Sequence, residues 1–103
     1  MPIAGSFTVS SDHPSLPGHF PGRPVVPGAV LLDEALSLIG AALDLGAPCE
    51  IGLAKFIEPV LAGQTILVSY SVEPSGRARF AGTHEQRTVL LGVARFASPL
   101  EPL

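Results

Sequence analysis

A single cysteine, Cys49, has no partner for an internal disulfide, so packing and hydrogen bonding must hold these 103 residues together. Tryptophan is absent, and aromatic residues make up only 6% of the chain. Charge is sparse too. Six basic residues stand against nine acidic ones, for a formal charge of −3, and no basic block occurs. That balance excludes nucleic acid and anionic membrane surfaces as expected partners. No apolar run reaches the ~18 residues that a bilayer-crossing helix takes. The stretch Met1-Pro2-Ile3-Ala4-Gly5 lacks the positive region of a targeting segment, and a cytoplasmic location is expected. Neither His13 nor His84 stands at a metal-ligand spacing from another His or Cys, and no Walker loop or dinucleotide fingerprint is present. Neither a metal nor a nucleotide cofactor is therefore expected.

What the chain does have is apolar surface. Hydrophobic residues make up 47% and charged residues 15%, a balance too apolar for disorder and rich for a solitary domain of this length. So short a chain buries a limited fraction of its surface alone, and part of the apolar excess is expected to face another subunit. No repeat or linker divides the sequence, and residues 1–103 read as a single domain.

Period and punctuation supply the elements. Ser6 to Ser10 alternates Phe7 and Val9 with polar neighbours and reads as a strand. Ala29 to about Leu45 reads as a helix, opened by Pro27 and Gly28 and closed by Gly46 and Pro48. Its apolar residues, from Val30 to Leu43, cover more than one face, which predicts a helix wrapped by other elements. Further strands are expected near Glu50 to Glu58, Thr65 to Glu73, Arg77 to Thr83 and Thr88 to Ala97, with turns at Gly63 and Pro74-Ser75-Gly76. One helix and an antiparallel sheet make an α+β layout in which the sheet can curl around the helix.

Between the first strand and the helix lies the most informative stretch, Gly18-His19-Phe20-Pro21-Gly22-Arg23-Pro24-Val25-Val26-Pro27-Gly28. Five prolines between positions 14 and 27 fix φ and remove backbone donors, so the loop can hold the His19 imidazole at little entropic cost. Fourteen residues beyond His19, Asp33 falls inside the apolar helix, where burial of an acid demands a reason. His19 and Asp33 together look like an acid/base pair. Taken in isolation, a lone His in a Pro/Gly loop is more often a turn residue, and Asp33-Glu34 could be a solvated stripe.

The pattern His-Phe-Pro-Gly-x-Pro-x-x-Pro-Gly, filled at every fixed position from His19 to Gly28, resembles the hot-dog-fold β-hydroxyacyl-(acyl-carrier-protein) dehydratases. That family places a catalytic Glu or Asp fourteen residues after its His, the position held here by Asp33, with Glu34 off register. Lys55-Phe56-x-x-Pro59-Val60-x-x-Gly63 is similar to the strand and turn that follow the family's helix. The resemblance implies a hot-dog fold, an antiparallel sheet wrapped around one central helix. It also implies a dimer in which each site takes His19 from one chain and Asp33 from the other, and oxyanion contacts at Gly28 and Ala29. Where the dehydratases commonly carry a Gln one turn beyond the carboxylate, this chain has Ser37. The amino-terminal segment is short for the family.

The implied chemistry fits the residue types. Removing water from a 3-hydroxyacyl thioester needs a base for the α-hydrogen and an acid for the departing hydroxyl. A neutral imidazole suits the first task, and a carboxyl kept protonated by apolar surroundings suits the second. Charge gathering on the thioester oxygen can be met by the free amides and the positive dipole end at Gly28 and Ala29. The expected substrate rides on phosphopantetheine, on acyl carrier protein or coenzyme A, in fatty acid or related lipid, polyketide or aryl-polyene biosynthesis. A homodimer or larger hot-dog oligomer is expected, with a heterodimer possible. Two competitors stand beside the dehydratase: a hot-dog thioesterase in which Asp33 or Glu34 activates water, and a non-catalytic partner for a second hot-dog chain. His13 and His84 read as structural and Cys49 as a small apolar filler.

Overall fold

The computed structural model describes residues 1–13 and 24–96. Five strands and one helix follow in the order β1 (Ile3–Thr8), α1 (Gly28–Ala42), β2 (Pro48–Phe56), β3 (Thr65–Val72), β4 (Arg77–His84) and β5 (Arg87–Phe96). All strand pairs are antiparallel, and the sheet order is β1-β3-β4-β5-β2. Because β2 follows the helix in sequence yet lies beside β5, it ends the sheet as an edge strand, with β1 at the other edge.

Alternation along the central strands sets the two faces of the sheet. Ile66 and Val68 of β3, Ala78 and Phe80 of β4, and Leu90, Gly92, Ala94 and Phe96 of β5 are buried, and within each strand they sit two residues apart, as a one-face pattern demands. Leu31, Ala35, Leu36, Ile39 and Gly40 of α1 are buried as well. Their 3–4 spacing makes the stripe that joins the sheet residues in one core.

Gly92 shows how tightly that face is filled. It stands opposite Phe80 on β4 and Ala54 on β2, and a Cβ at this position would overlap the Phe80 ring and lie 2.8 Å from the Leu53 carbonyl oxygen. The fully buried Phe80 therefore occupies the space that any side chain at position 92 would need. Gly92→Ala is expected to lower unfolding stability by about 3 kcal/mol, the upper end of overpacking costs, seen as a lowered urea midpoint with unchanged slope. A midpoint equal to the parent's would contradict this packing.

Among the boundaries that differ from the sequence reading, β2 runs from Pro48 to Phe56 instead of Glu50 to Glu58, and three others stand out. The first strand begins at Ile3 instead of Ser6, although Phe7 and Val9 are buried as their alternation predicts. The helix ends at Ala42, ahead of Leu45, because Asp44 turns into the left-handed region with φ of 56°. There the Leu45 amide donates to the Gly40 carbonyl at 2.8 Å and the Asp44 amide to the Ala41 carbonyl at 3.2 Å, closing the helix four residues before Gly46. The third difference is the β4–β5 hairpin, which runs on to the pair His84 and Arg87 and turns on Glu85 and Gln86, with φ of 49° and 69°. Two positive φ values make the tight hairpin turn that prefers Asn-Gly. Replacing Glu85-Gln86 by Asn-Gly is expected to stabilise the fold by about 1 kcal/mol, read as a higher Tm. An unchanged or lower Tm would show that this turn is not strained.

The helix is also less enclosed than its composition predicts. Ala29, Asp33, Ser37 and Ala41, spaced four apart, form an exposed stripe along it. Apolar surface is concentrated on β2 and the residue after it: Ile51 is 47% exposed, Leu53 53%, Phe56 47% and Ile57 44%. A nine-residue edge strand carrying such residues is a ready template for pairing with another strand.

Candidate active site

The site builds from the start of α1. Val25 bridges to Leu61, the Val26 amide donates to the Val60 carbonyl at 2.7 Å, and the Ala62 amide donates to the Pro24 carbonyl at 2.9 Å. These bonds pin residues 24–26 against the turn that follows β2. Pro27 caps the helix with φ −59° and ψ 143°, has no capping side chain, and leaves a first turn without acidic residues. Its carbonyl accepts from the amides of Val30 at 3.0 Å and Leu31 at 3.2 Å. Among the described residues, the amides of Gly28 and Ala29 have no acceptor, so two donors stand unengaged at the positive end of the helix dipole.

One turn on from Ala29 stands Asp33, and one turn further Ser37. Both line a cavity of about 310 Å³ with Leu36, Gly46, Ala47 and Pro48. The sequence predicts a buried acid, and here the structure differs. Asp33 is exposed, because the core takes the Leu31, Ala35, Leu36 and Ile39 stripe and turns position 33 away from the sheet. Among the described residues, no hydrogen bond or ion pair engages its carboxylate. Glu34 is half-buried. Within the single chain, the apolar enclosure expected around the acid is absent from the described residues.

His19 lies outside the described residues, so the geometry joins Asp33, Gly28 and Ala29 on one stretch of helix and is silent on the imidazole. His84 matches its structural reading: Nδ1 lies 3.0 Å from the Thr65 carbonyl and Nε2 3.9 Å from a Glu85 carboxylate oxygen. It lines a separate polar cleft of about 610 Å³ with Gly63, Gln64, Thr65, Glu85 and Arg87. Cys49 is exposed on β2 instead of filling the core, with its thiol 3.5 Å from the Arg95 carbonyl. Among the described residues no group of three His, Cys, Asp or Glu side chains could hold a metal, and no helix is long and apolar enough to cross a membrane.

Sequence reasoning missed Phe56. Its ring reaches back from the end of β2 to the helix start, where a Cβ on Gly28 would lie 2.9 to 3.1 Å from three ring atoms. Gly28 thus lets an aromatic ring approach the backbone at the point expected to receive the substrate. The one signal available was the position of Phe56 within Lys55-Phe56-x-x-Pro59.

Solved structures share this architecture. The dehydratase heterocomplex ApeI:P from Xenorhabdus doucetiae superposes with a TM-score of 0.73 at 22% identity, over 89% of this chain and 83% of that one. An uncharacterized protein from Erwinia carotovora subsp. atroseptica gives 0.76, also at 22% identity, over 93% and 82%. The fold is a single hot-dog, one helix held on a five-stranded antiparallel sheet. The ApeI-like family model, described as ApeI dehydratase, matches residues 2–99, and the chain belongs to that family.

Curated relatives include a 3-hydroxyacyl-(acyl-carrier-protein) dehydratase FabZ of Desulforamulus reducens. It is 35% identical over 79 residues, which cover 68% of this chain and 55% of that protein. The FabZ of Herpetosiphon aurantiacus is 37% identical over 82 residues, 71% of this chain and 57% of that protein. The chain therefore spans a little over half the length of these relatives.

Proposed function

We propose that the chain is a dehydratase that removes water from a 3-hydroxyacyl thioester carried on phosphopantetheine. The observation that carries the reading is the shared helix stretch. Two unengaged amides at Gly28 and Ala29 and the exposed Asp33 carboxyl lie about one helical turn apart, ~6 Å along the axis. His19 takes the α-hydrogen, and the electron pair of that C–H bond becomes the new double bond. The β C–O bond breaks as Asp33 gives its proton to the departing oxygen, so that water leaves, His19 ends protonated and Asp33 ends ionised. Transfer of that proton back from His19 to Asp33 restores both groups. Meanwhile the thioester oxygen gains negative charge next to the two amides, where preorganised donors are worth most. The reaction calls for no cofactor beyond the phosphopantetheine arm of the substrate, and names such as FabZ among the relatives support acyl carrier protein as its bearer.

An acid role for Asp33 also calls for a second chain. Covering the stripe of Ala29, Asp33, Ser37 and Ala41 desolvates the carboxyl group, the condition under which such a group keeps its proton. The exposed apolar edge at Ile51 and Leu53 gives that chain a strand to pair with. A homodimer is the simplest assembly. A second reading, a subunit working beside a different hot-dog chain, draws on Ser37: the hydroxyl leaves the cavity beside Asp33 open where the family's longer amide would reach the carboxyl group. The solved structure of ApeI:P is named a dehydratase heterocomplex, which supports a reading with two different subunits. Hydration, run in reverse on a trans-2-enoyl thioester, tests the reading. The conjugated enoyl absorbance should decay only when the protein is added, and a decay rate equal to the blank's would oppose the proposal.

A further inference from the structure

The contact between Phe56 and Gly28 carries one step beyond the dehydratase reading, on which it rests. The ring meets the helix start tip first: the Gly28 Cβ position would be 2.9 Å from Cζ and 3.1 Å from Cε1 and Cε2. The backbone fixes that placement, because Phe56 is the last residue of β2, paired with Leu90, and the next amide, Ile57, donates to the Val89 carbonyl at 2.8 Å. A core residue would be closed on all sides, yet Phe56 remains 47% exposed. One end of the ring therefore stands against Gly28, the first residue of the helix, while about half of the residue's surface remains exposed.

We infer that Phe56 is a positioning residue for the reacting thioester. The ring walls one side of the oxyanion position, keeps water from the two amide donors on that side, and holds the thioester carbonyl against them. A hydrogen bond to developing charge is strengthened when water is excluded from it. Gly28 serves this arrangement directly, since a methyl group there would push the ring away from the helix start. The residue touches no proton in transit and is not a catalytic acid or base.

Two measurements test this, one by turnover and one without it. With 3-hydroxybutyryl and 3-hydroxydecanoyl carrier-protein thioesters, Phe56→Ala should lower kcat about tenfold on both, with KM within about threefold, while Phe56→Leu stays within about threefold of the parent. Unchanged kcat, or a loss that appears in KM and only with the long acyl chain, would make the ring part of an acyl channel and overturn the inference. If Phe56→Ala fails to fold, Phe56→Val takes its place in the same comparison. The second measurement titrates the protein with butyryl-pantetheine, which has no hydroxyl to lose, and follows the amide resonances of Gly28 and Ala29 by NMR. Both should shift in the parent, and the saturating shifts should fall by at least about half in the Ala or Val variant. Parent amides that do not respond would overturn the Phe56 role. Amides that respond and depend on Phe56 in a protein without dehydration would uphold it while the proposed function falls.

Discussion

Asp33→Asn should lower dehydration by about two to four orders of magnitude, the range that a positioned general acid contributes. Asparagine matches aspartate in size, and position 33 is exposed and without a partner among the described residues, so the fold has little to lose. Surface substitutions of this kind stay within about 0.5 kcal/mol of the parent. The loss should therefore appear in kcat at unchanged Tm. Glu34→Gln is the control. Glu34 stands a hundred degrees around the helix from Asp33, off the stripe shared with Ala29 and Ser37, as ~3.6 residues per turn requires, and its replacement should change the rate by no more than a few-fold. The opposite ranking, with Glu34→Gln the inactive variant, would move the acid to the neighbouring residue and remove the register on which the site is built.

The second large effect is a recovery. His19→Ala and Asp33→Asn homodimers should each be inactive, and activity should return when the two proteins are unfolded and refolded together. If the site takes its imidazole from one chain and its carboxyl from the other, a mixed dimer holds one intact site and one site lacking both groups. Random pairing at equal amounts makes mixed dimers about half the population, so about a quarter of parental activity should return. Sites built within one chain predict no recovery. The motivation is structural as well as chemical: the apolar edge of β2 and the Asp33 stripe both lack the cover that their roles demand within one chain. Size-exclusion chromatography of the parent as an active monomer would contradict the shared site directly.

Much of this architecture was legible in the residues. Alternation at Phe7 and Val9 marked β1, Pro27-Gly28 marked the helix start, and Pro74-Ser75-Gly76 marked the β3–β4 turn, because each feature acts locally through φ restriction or strand period. The turn that escaped notice breaks the usual residue preferences. Glu85 and Gln86 hold positive φ without glycine, asparagine or aspartate, so nothing in their identity announces a hairpin turn. Exposure of Asp33 was illegible for another reason. The helix is apolar on several faces, and composition alone could not say which face the sheet takes and which a second chain would cover. Phe56 was unreadable as part of the site because its contact with Gly28 joins an edge strand to a helix start 28 positions earlier, a proximity that only the fold creates. The two amides followed from the helix start itself, while the role of His19 rests on the motif.

The most direct test is the mass of the acyl group after incubation with a 3-hydroxyacyl carrier-protein thioester. Dehydration predicts that the carrier-bound acyl group loses the mass of one water and that the thioester remains intact. Release of free 3-hydroxy acid would instead identify a thioesterase, and an unchanged acyl carrier, with the protein alone or supplied with a second hot-dog chain, would contradict the catalytic account.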